Sequence, residues 1–253
     1  MRFPVTAAIL FSGLAFTASL AGAAEIRVFA TGAVQHSVQE IVAAFEKDTG
    51  HKIIATFGTA GAIGKRLEAG EAADVVLSSS GGLRDAKAKL AEGEPVLVGR
   101  VRMGMAVKEG AAKPDISTPE KFKAVLLSVA SFAYGDPAQG STTGVHFGKT
   151  LEQMGIAEQV KAKSVLGKDG FDVTKSVVDG KAVIGFTQTT EIQMVKGAEV
   201  AGLMPDAYQL VSSYAMALTK EGEKSEAAKA LYARIASPKG VEAFAHHGFE
   251  VKK

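Results

Sequence analysis

Cysteine is absent from all 253 residues, so no disulfide framework supports the fold and no cysteine is there to carry a lipid anchor. Tryptophan is absent too and there are only four tyrosines, which argues against a sugar site built on aromatic stacking platforms. Charge of one sign is also missing as a feature. Twenty-nine basic residues face 27 acidic ones, a formal net charge of +2, and no basic block occurs. Neither nucleic acid nor an anionic membrane surface is indicated as a partner. Repeats of solenoid length and low-complexity tracts do not occur either.

What is present begins with an export pattern. Arg2 supplies a positive start, Val5 to Leu20 is an apolar run broken by Ser, Gly and Thr, and Ala21-Gly22-Ala23 has the small-x-small spacing of a cleavage site. The expectation is a signal peptide over residues 1–23, cleaved near Ala23, and a soluble periplasmic protein without membrane insertion. About 230 residues then remain, enough for a large core without covalent staples and suited to two lobes of about 100 residues each.

Short apolar runs alternate with amphipathic helical patterns along the chain, the signature of an α/β fold with largely parallel strands. Strands are predicted at Ile26–Ala30, Ile53–Phe57, Asp74–Leu77, Met103–Val107, Ser131–Tyr134, Val183–Phe186 and Tyr214–Leu218. Val38, Ile41, Val42 and Phe45 fall on one helical face ended by Gly50. Phe147, Leu151 and Met154 form another such face, and Ala228, Leu231, Tyr232 and Ile235 a third. The Pro/Gly/Lys-rich stretch from Lys108 to Pro119 reads as a crossing point. A first lobe of residues 24–108 and 212–253 and a second of 109–211 follow, with crossings expected near Val107–Glu109 and Val211–Tyr214.

Strand-to-helix turns are where an open α/β sheet binds ligands. Four of them are small and polar: Thr31-Gly32-Ala33, Gly58-Thr59-Ala60-Gly61, Gln139-Gly140-Ser141-Thr142-Thr143 and Thr187-Gln188-Thr189. Each feeds a helix whose first N–H groups are unpaired and carry a positive partial charge, ready for an anion. Ser, Thr and Gly also serve simply as helix caps and turn formers. The turns hold no Lys or Arg. Five or six hydrogen bonds to an ionised guest, at roughly 1.5–3 kcal/mol each, supply about 8–18 kcal/mol gross, against about 8 for micromolar binding. Lys65, Arg66, Lys168, Arg100 and Arg102 lie nearby and read as surface charges. The candidate contacts are Thr31, Ala33, Thr59, Ala60, Gly61 and Ser79 from one lobe and Ser141, Thr142, Thr143 and Gln188 from the other. Ala33, Ala60 and Gly61 would act through backbone N–H.

Other chemistries are less well served. Gly144 to Thr150 approaches a phosphate-binding loop but has three residues between its glycines where four are needed, and Phe147 puts the stretch inside a helix. His36, His51, His146, His246 and His247 lack chelating helical spacing, and adjacent His246 and His247 are expected to point apart, so no metal or cofactor is expected. No nucleophile elbow or S-x-x-K motif marks an enzyme.

The quoted segments resemble a known family. Phe29-Ala30-Thr31-Gly32-Ala33, Ile41 to Lys47, Phe57-Gly58-Thr59-Ala60-Gly61 and Ala73 to Ser78 are similar to the N-terminal half of the periplasmic molybdate-binding proteins. Gly135-Asp136-Pro137 and Ala182 to Phe186 match the middle, and Ser237-Pro238-Lys239-Gly240 with Gly248-Phe249 the C-terminal end. The resemblance implies a two-lobed type II periplasmic binding protein fold. Each lobe would be a mixed, mostly parallel sheet flanked by helices, hinged on two or three crossing strands. It also implies a non-enzymatic, monomeric solute receptor that carries a small anion, such as molybdate or tungstate, to an ABC permease. The family grips its tetrahedral oxyanion with a Ser from each of the first two turns, middle-lobe N–H groups and a Tyr after the strand here at Val183–Phe186. This chain has Ala33, Thr59-Ala60-Gly61 and Gln188 at those places, which leaves a small carboxylate or phosphate as the alternative ligand and a sensory partner as an alternative role.

Overall fold

The computed structural model describes residues 22–251, so the expected signal peptide lies outside the described residues except for its last two positions. Nine strands organise the described residues: β1 (Glu25–Thr31), β2 (Lys52–Gly58), β3 (Val75–Ser79), β4 (Val96–Lys108), β5 (Phe132–Gly135), β6 (Ser164–Gly167), β7 (Ile184–Gln188), β8 (Ala198–Leu203) and β9 (Val211–Leu218). They follow the order β2-β1-β3-β9-β4-β7-β5-β6, with β8 on a further stretch of β4. In the first lobe β1 runs parallel to β2 and β3, and β9 is antiparallel to both β3 and β4. In the second, β5 is parallel to β6 and β7, while β4 runs antiparallel to β7 and β8.

Apolar spacing explains the layers. In helix Gln35–Thr49, Val38, Ile41 and Phe45 are buried against the first sheet, and Gly50 ends the helix at φ +72, a conformation that favours glycine. Phe244 and Leu231 of the two C-terminal helices join that core. The second lobe closes over four phenylalanines: Phe147 stacks on Phe186 at 4.7 Å, Phe122 meets Phe186 edge-on at 5.4 Å, and Phe132 packs on Phe147 at 5.9 Å.

The crossing between lobes falls earlier than expected. β4 is one continuous 13-residue strand. Its first half pairs with β9 as far as Arg102↔Val211, and from Met103 it pairs with β7 instead. Met103 to Val107 is buried without a break, whereas Arg100 is exposed and Arg102, beside the point where the pairing partner changes, is half-buried. The polar stretch after Lys108 is the turn at the far end of the second lobe and not the crossing. The return lies at Leu210–Val211, where the Met103 amide donates to the Leu210 carbonyl at 3.1 Å.

Candidate ligand-binding cleft

The carboxyl ends of β1, β2 and β3 face those of β5, β6 and β7. Four of the turns that follow carry a side-chain helix cap, because a short polar side chain at a strand end satisfies an orphan amide, while Thr31 after β1 and Gln188 after β7 make no such bond. Thr59 Oγ1 accepts from Ala62 N, Ser79 Oγ from Gly82 N, Ser141 Oγ from Gly144 N, and Asp169 caps helix Gly170–Val178. Capping uses an acceptor lone pair of each hydroxyl and leaves its O–H to donate, except where another bond takes it, as at Thr59, whose hydroxyl donates across to the other lobe.

The lobes touch. Thr59 Oγ1 donates to the Gln139 carbonyl at 2.6 Å, and Gly61 N donates to the Gly140 carbonyl at 3.2 Å. Between them remains a cavity of about 30 Å³, which on a scale of roughly 10–15 Å³ per water holds about two waters. Thr31, Ala33, Thr59, Ala60 and Ser79 line it from one side, and Ser141, Thr142, Thr143 and Gln188 from the other. Gly61 is the exception among the candidate contacts. Its amide is spent on Gly140, so it closes the cleft from outside and is not part of the lining.

Six lining residues were not read from the sequence as contacts: Gly32, Gly58, Asp169, Gly170, Glu191 and Tyr214. Glu191 is the most consequential. It is buried in the first turn of helix Thr189–Gln193, accepts from Thr187 Oγ1 at 2.6 Å, and lies between the backbones of Gly32 and Gly170. Burial pushes its carboxyl up to about 7; nearby Asp169 adds to the rise, while the Thr187 hydroxyl and the Gln188 amide oppose it. Burial likewise raises the Tyr214 phenol, aided by the charge of Glu191 and opposed by Ser212 and Gln188. A carboxylate in a helix's first turn ordinarily reads as a solvated partner of the dipole, which is why Glu191 gave no signal. Tyr214 looked like an ordinary strand residue.

Two lining side chains keep unused capacity. Thr31 Oγ1 and Gln188 Oε1 are buried and without a hydrogen-bond partner, while Gln188 Nε2 donates to Ser212 Oγ at 2.7 Å. No Lys or Arg lines the cavity. Arg66 pairs with Glu71 at 2.9 Å and Arg102 with Glu250 at 2.9 Å. The glycine-rich decoy lies, as expected, inside helix Thr142–Gln153.

The histidines need a correction. His246 and His247 do not point apart: their rings are 4.8 Å apart, and both reach Glu40 Oε2. His247 has left the helix, at φ −93 and ψ 24, so helical geometry no longer separates the two side chains.

Two lobes of mixed sheet joined by crossing strands and closed over a polar, cation-free cavity define a periplasmic binding protein fold. The chain belongs to the bacterial extracellular solute-binding protein family, whose model matches residues 26–250. It is 33% identical to an aconitate isomerase from Pseudomonas sp, over 89% of this chain and 87% of that protein. It is 25% identical to the molybdate-binding protein ModA of Escherichia coli strain K12, over 96% of this chain and 97% of the other. In fold it is similar to the periplasmic molybdate-binding protein of Azotobacter vinelandii, with a TM-score of 0.72 at 17% identity, covering 90% of this chain and all of that one. Among the described residues no helix is long and apolar enough to cross a membrane.

Proposed function

We propose that this protein is the periplasmic receptor of an ABC importer, and that its cargo is a compact organic acid carrying a proton donor, ahead of a fully ionised tetrahedral oxyanion. The observation that carries this reading is the pairing of donors and acceptors in one cavity. Backbone N–H groups and the Thr31 hydroxyl suit an anionic oxygen, while Gln188 Oε1 has no donor and Glu191 lies buried without a cation. Molybdate or tungstate, ionised at neutral pH, has no proton to give either acceptor. A hydroxy acid has one, since its hydroxyl keeps its proton when its carboxyl is ionised. If the guest brings none, Glu191 must hold its own, and affinity then falls as pH rises through about 7. The replacement of the molybdate family's three side-chain contacts by Ala33, Thr59-Ala60-Gly61 and Gln188 supports the same choice, as does the name of the 33%-identical relative.

Binding would close the lobes about the strands at Arg102–Met103 and Leu210–Val211 and so present a surface to a membrane permease. A thermal-shift series tests the ligand class: molybdate, tungstate, sulfate, phosphate and mono-, di- and tricarboxylates, each at pH 6 and pH 8. The true ligand at a hundredfold excess over Kd stabilises the protein by about 2.7 kcal/mol. Stabilisation by molybdate or tungstate alone, equal at both pH values, would overturn the organic-acid reading.

A second reading has one observation in its favour. A buried carboxyl that titrates near neutrality is suited to general acid–base work, and one relative is named an isomerase. Chromatography after incubation with trans-aconitate separates the two: a receptor returns it unchanged, an enzyme converts it with turnover.

A further inference from the structure

We infer that Glu40, His246 and His247 form a surface site for a divalent transition-metal ion, separate from the anion cleft and independent of its ligand. Glu40 lies on helix Gln35–Thr49, His246 ends helix Pro238–His246, and His247 caps it. The three potential ligand atoms, one from each residue, all lie within 4.8 Å of one another. Glu40 Oε2 is 3.3 Å from His246 Nδ1 and 2.7 Å from His247 Nε2. A tetrahedral zinc with bonds of about 2.0–2.1 Å needs ligand-to-ligand edges of about 3.3 Å. Of the three edges, Glu40–His246 is already at that length, Glu40–His247 needs to open by about half an ångström, and the edge between the two imidazoles, within 4.8 Å, is adjusted by side chains that are half-exposed at Glu40 and exposed at His246.

The donor set fits the ion. Two imidazoles and one carboxylate suit zinc and its first-row neighbours better than calcium or magnesium, which prefer oxygen. One carboxylate on a dication leaves a single positive charge and an open position for water, the composition of a three-ligand zinc site. His36 stands behind His247 with ring centroids 5.4 Å apart. Both imidazoles lie within hydrogen-bond distance of the same Glu40 oxygen. Without a metal the cluster is two imidazoles sharing one carboxylate oxygen. A metal would replace those shared protons and tie the first long helix to the C-terminal one.

The test uses the mature protein without a histidine tag, titrated calorimetrically with zinc chloride alone. One equivalent should bind. Glu40→Gln, His246→Ala and His247→Ala should each weaken binding at least tenfold, while His51→Ala and His146→Ala leave it unchanged. Glu40→Gln and His246→Ala alter exposed side chains, so loss of folding does not confound them; circular dichroism of each variant checks this. Visible absorption of the cobalt-loaded protein should disappear in His247→Ala. Absence of saturable binding, a stoichiometry that survives all three variants, or loss on His51→Ala instead would overturn the assignment. Because the probe is zinc and the anion cleft plays no part, failure here leaves the receptor reading untouched.

Discussion

Gly61 and Gly140 meet backbone to backbone across the cleft, one from each lobe. A Cβ built on Gly61 would lie 2.7 Å from the Gly140 Cα, and one built on Gly140 would lie 2.6 Å from the Gly61 Cα. Gly140 also sits at φ +71, where other residues are strained. The closed form therefore depends on the absence of two side chains as much as on any contact. Gly61→Ala should prop the lobes apart without unfolding either. Ligand affinity should drop about tenfold, equivalent to roughly 1.4 kcal/mol. Small-angle scattering should show a larger radius at saturating ligand than for the parent protein; an unchanged radius and affinity would deny this contact its role in closure.

Glu191 makes stability depend on pH in an unusual direction. Its folded pKa of about 7 lies above the ordinary 4.5, so the folded state holds the proton more tightly than the unfolded chain does. The associated stability is complete below about pH 4.5 and is lost as pH rises through about 7, a change of about 3 kcal/mol. Urea unfolding at pH 5 and pH 8 should reveal it. Glu191→Gln, which cannot ionise and still accepts from Thr187, should flatten the profile and be the more stable protein at pH 8.

Gln188 and Thr142 test the cleft itself. Gln188→Ala removes the partner of the buried Ser212 hydroxyl as well as a lining group, at a stability cost of about 1–3 kcal/mol, and should weaken ligand binding in addition. Thr142→Val keeps shape and loses a hydroxyl, so it should weaken binding with little effect on melting. Unaltered affinity in both variants, measured by calorimetry with the ligand found in the thermal-shift series, would remove them from the site.

Gly170 supports Glu191 by lacking a side chain. A Cβ there would lie 2.0 Å from Glu191 Oε2 and 2.4 Å from Thr187 Oγ1. Gly170→Ala should cost about 1–3 kcal/mol through overpacking and should displace the carboxyl. A pH profile of stability shifted from that of the parent would report the displacement, since an overpacked site elsewhere would leave the titration of Glu191 in place.

Most of the strands and the long helices are legible because their apolar spacing is regular. Val38, Ile41 and Phe45 point one way on a helix and are buried together. The short strand β6 carries an exposed Leu166, and no residue of β8 is buried, so neither offers a periodic signal. The length of β4 was missed for a related reason: Val96, Leu97 and Arg100 in its first half are exposed, and only Met103 to Val107 forms an unbroken buried run. Nine of the ten candidate contacts line one cavity because turn chemistry after a strand is local and readable. Glu191, Tyr214 and Asp169 were not, since their meaning depends on what lies opposite them.

The amino-acid order alone sets the alternation of strands and helices, the capped polar turns and the lack of any cation in those turns, because each of these rests on interactions between residues close in the chain. Tertiary structure decides what those turns face. It buries Glu191 between two glycines from different lobes and draws Glu40 to a histidine pair some 200 residues away. It also spends the Gly61 amide on Gly140. Burial and long-range proximity set the energy of a charge or a hydrogen bond, and neither is written in local spacing.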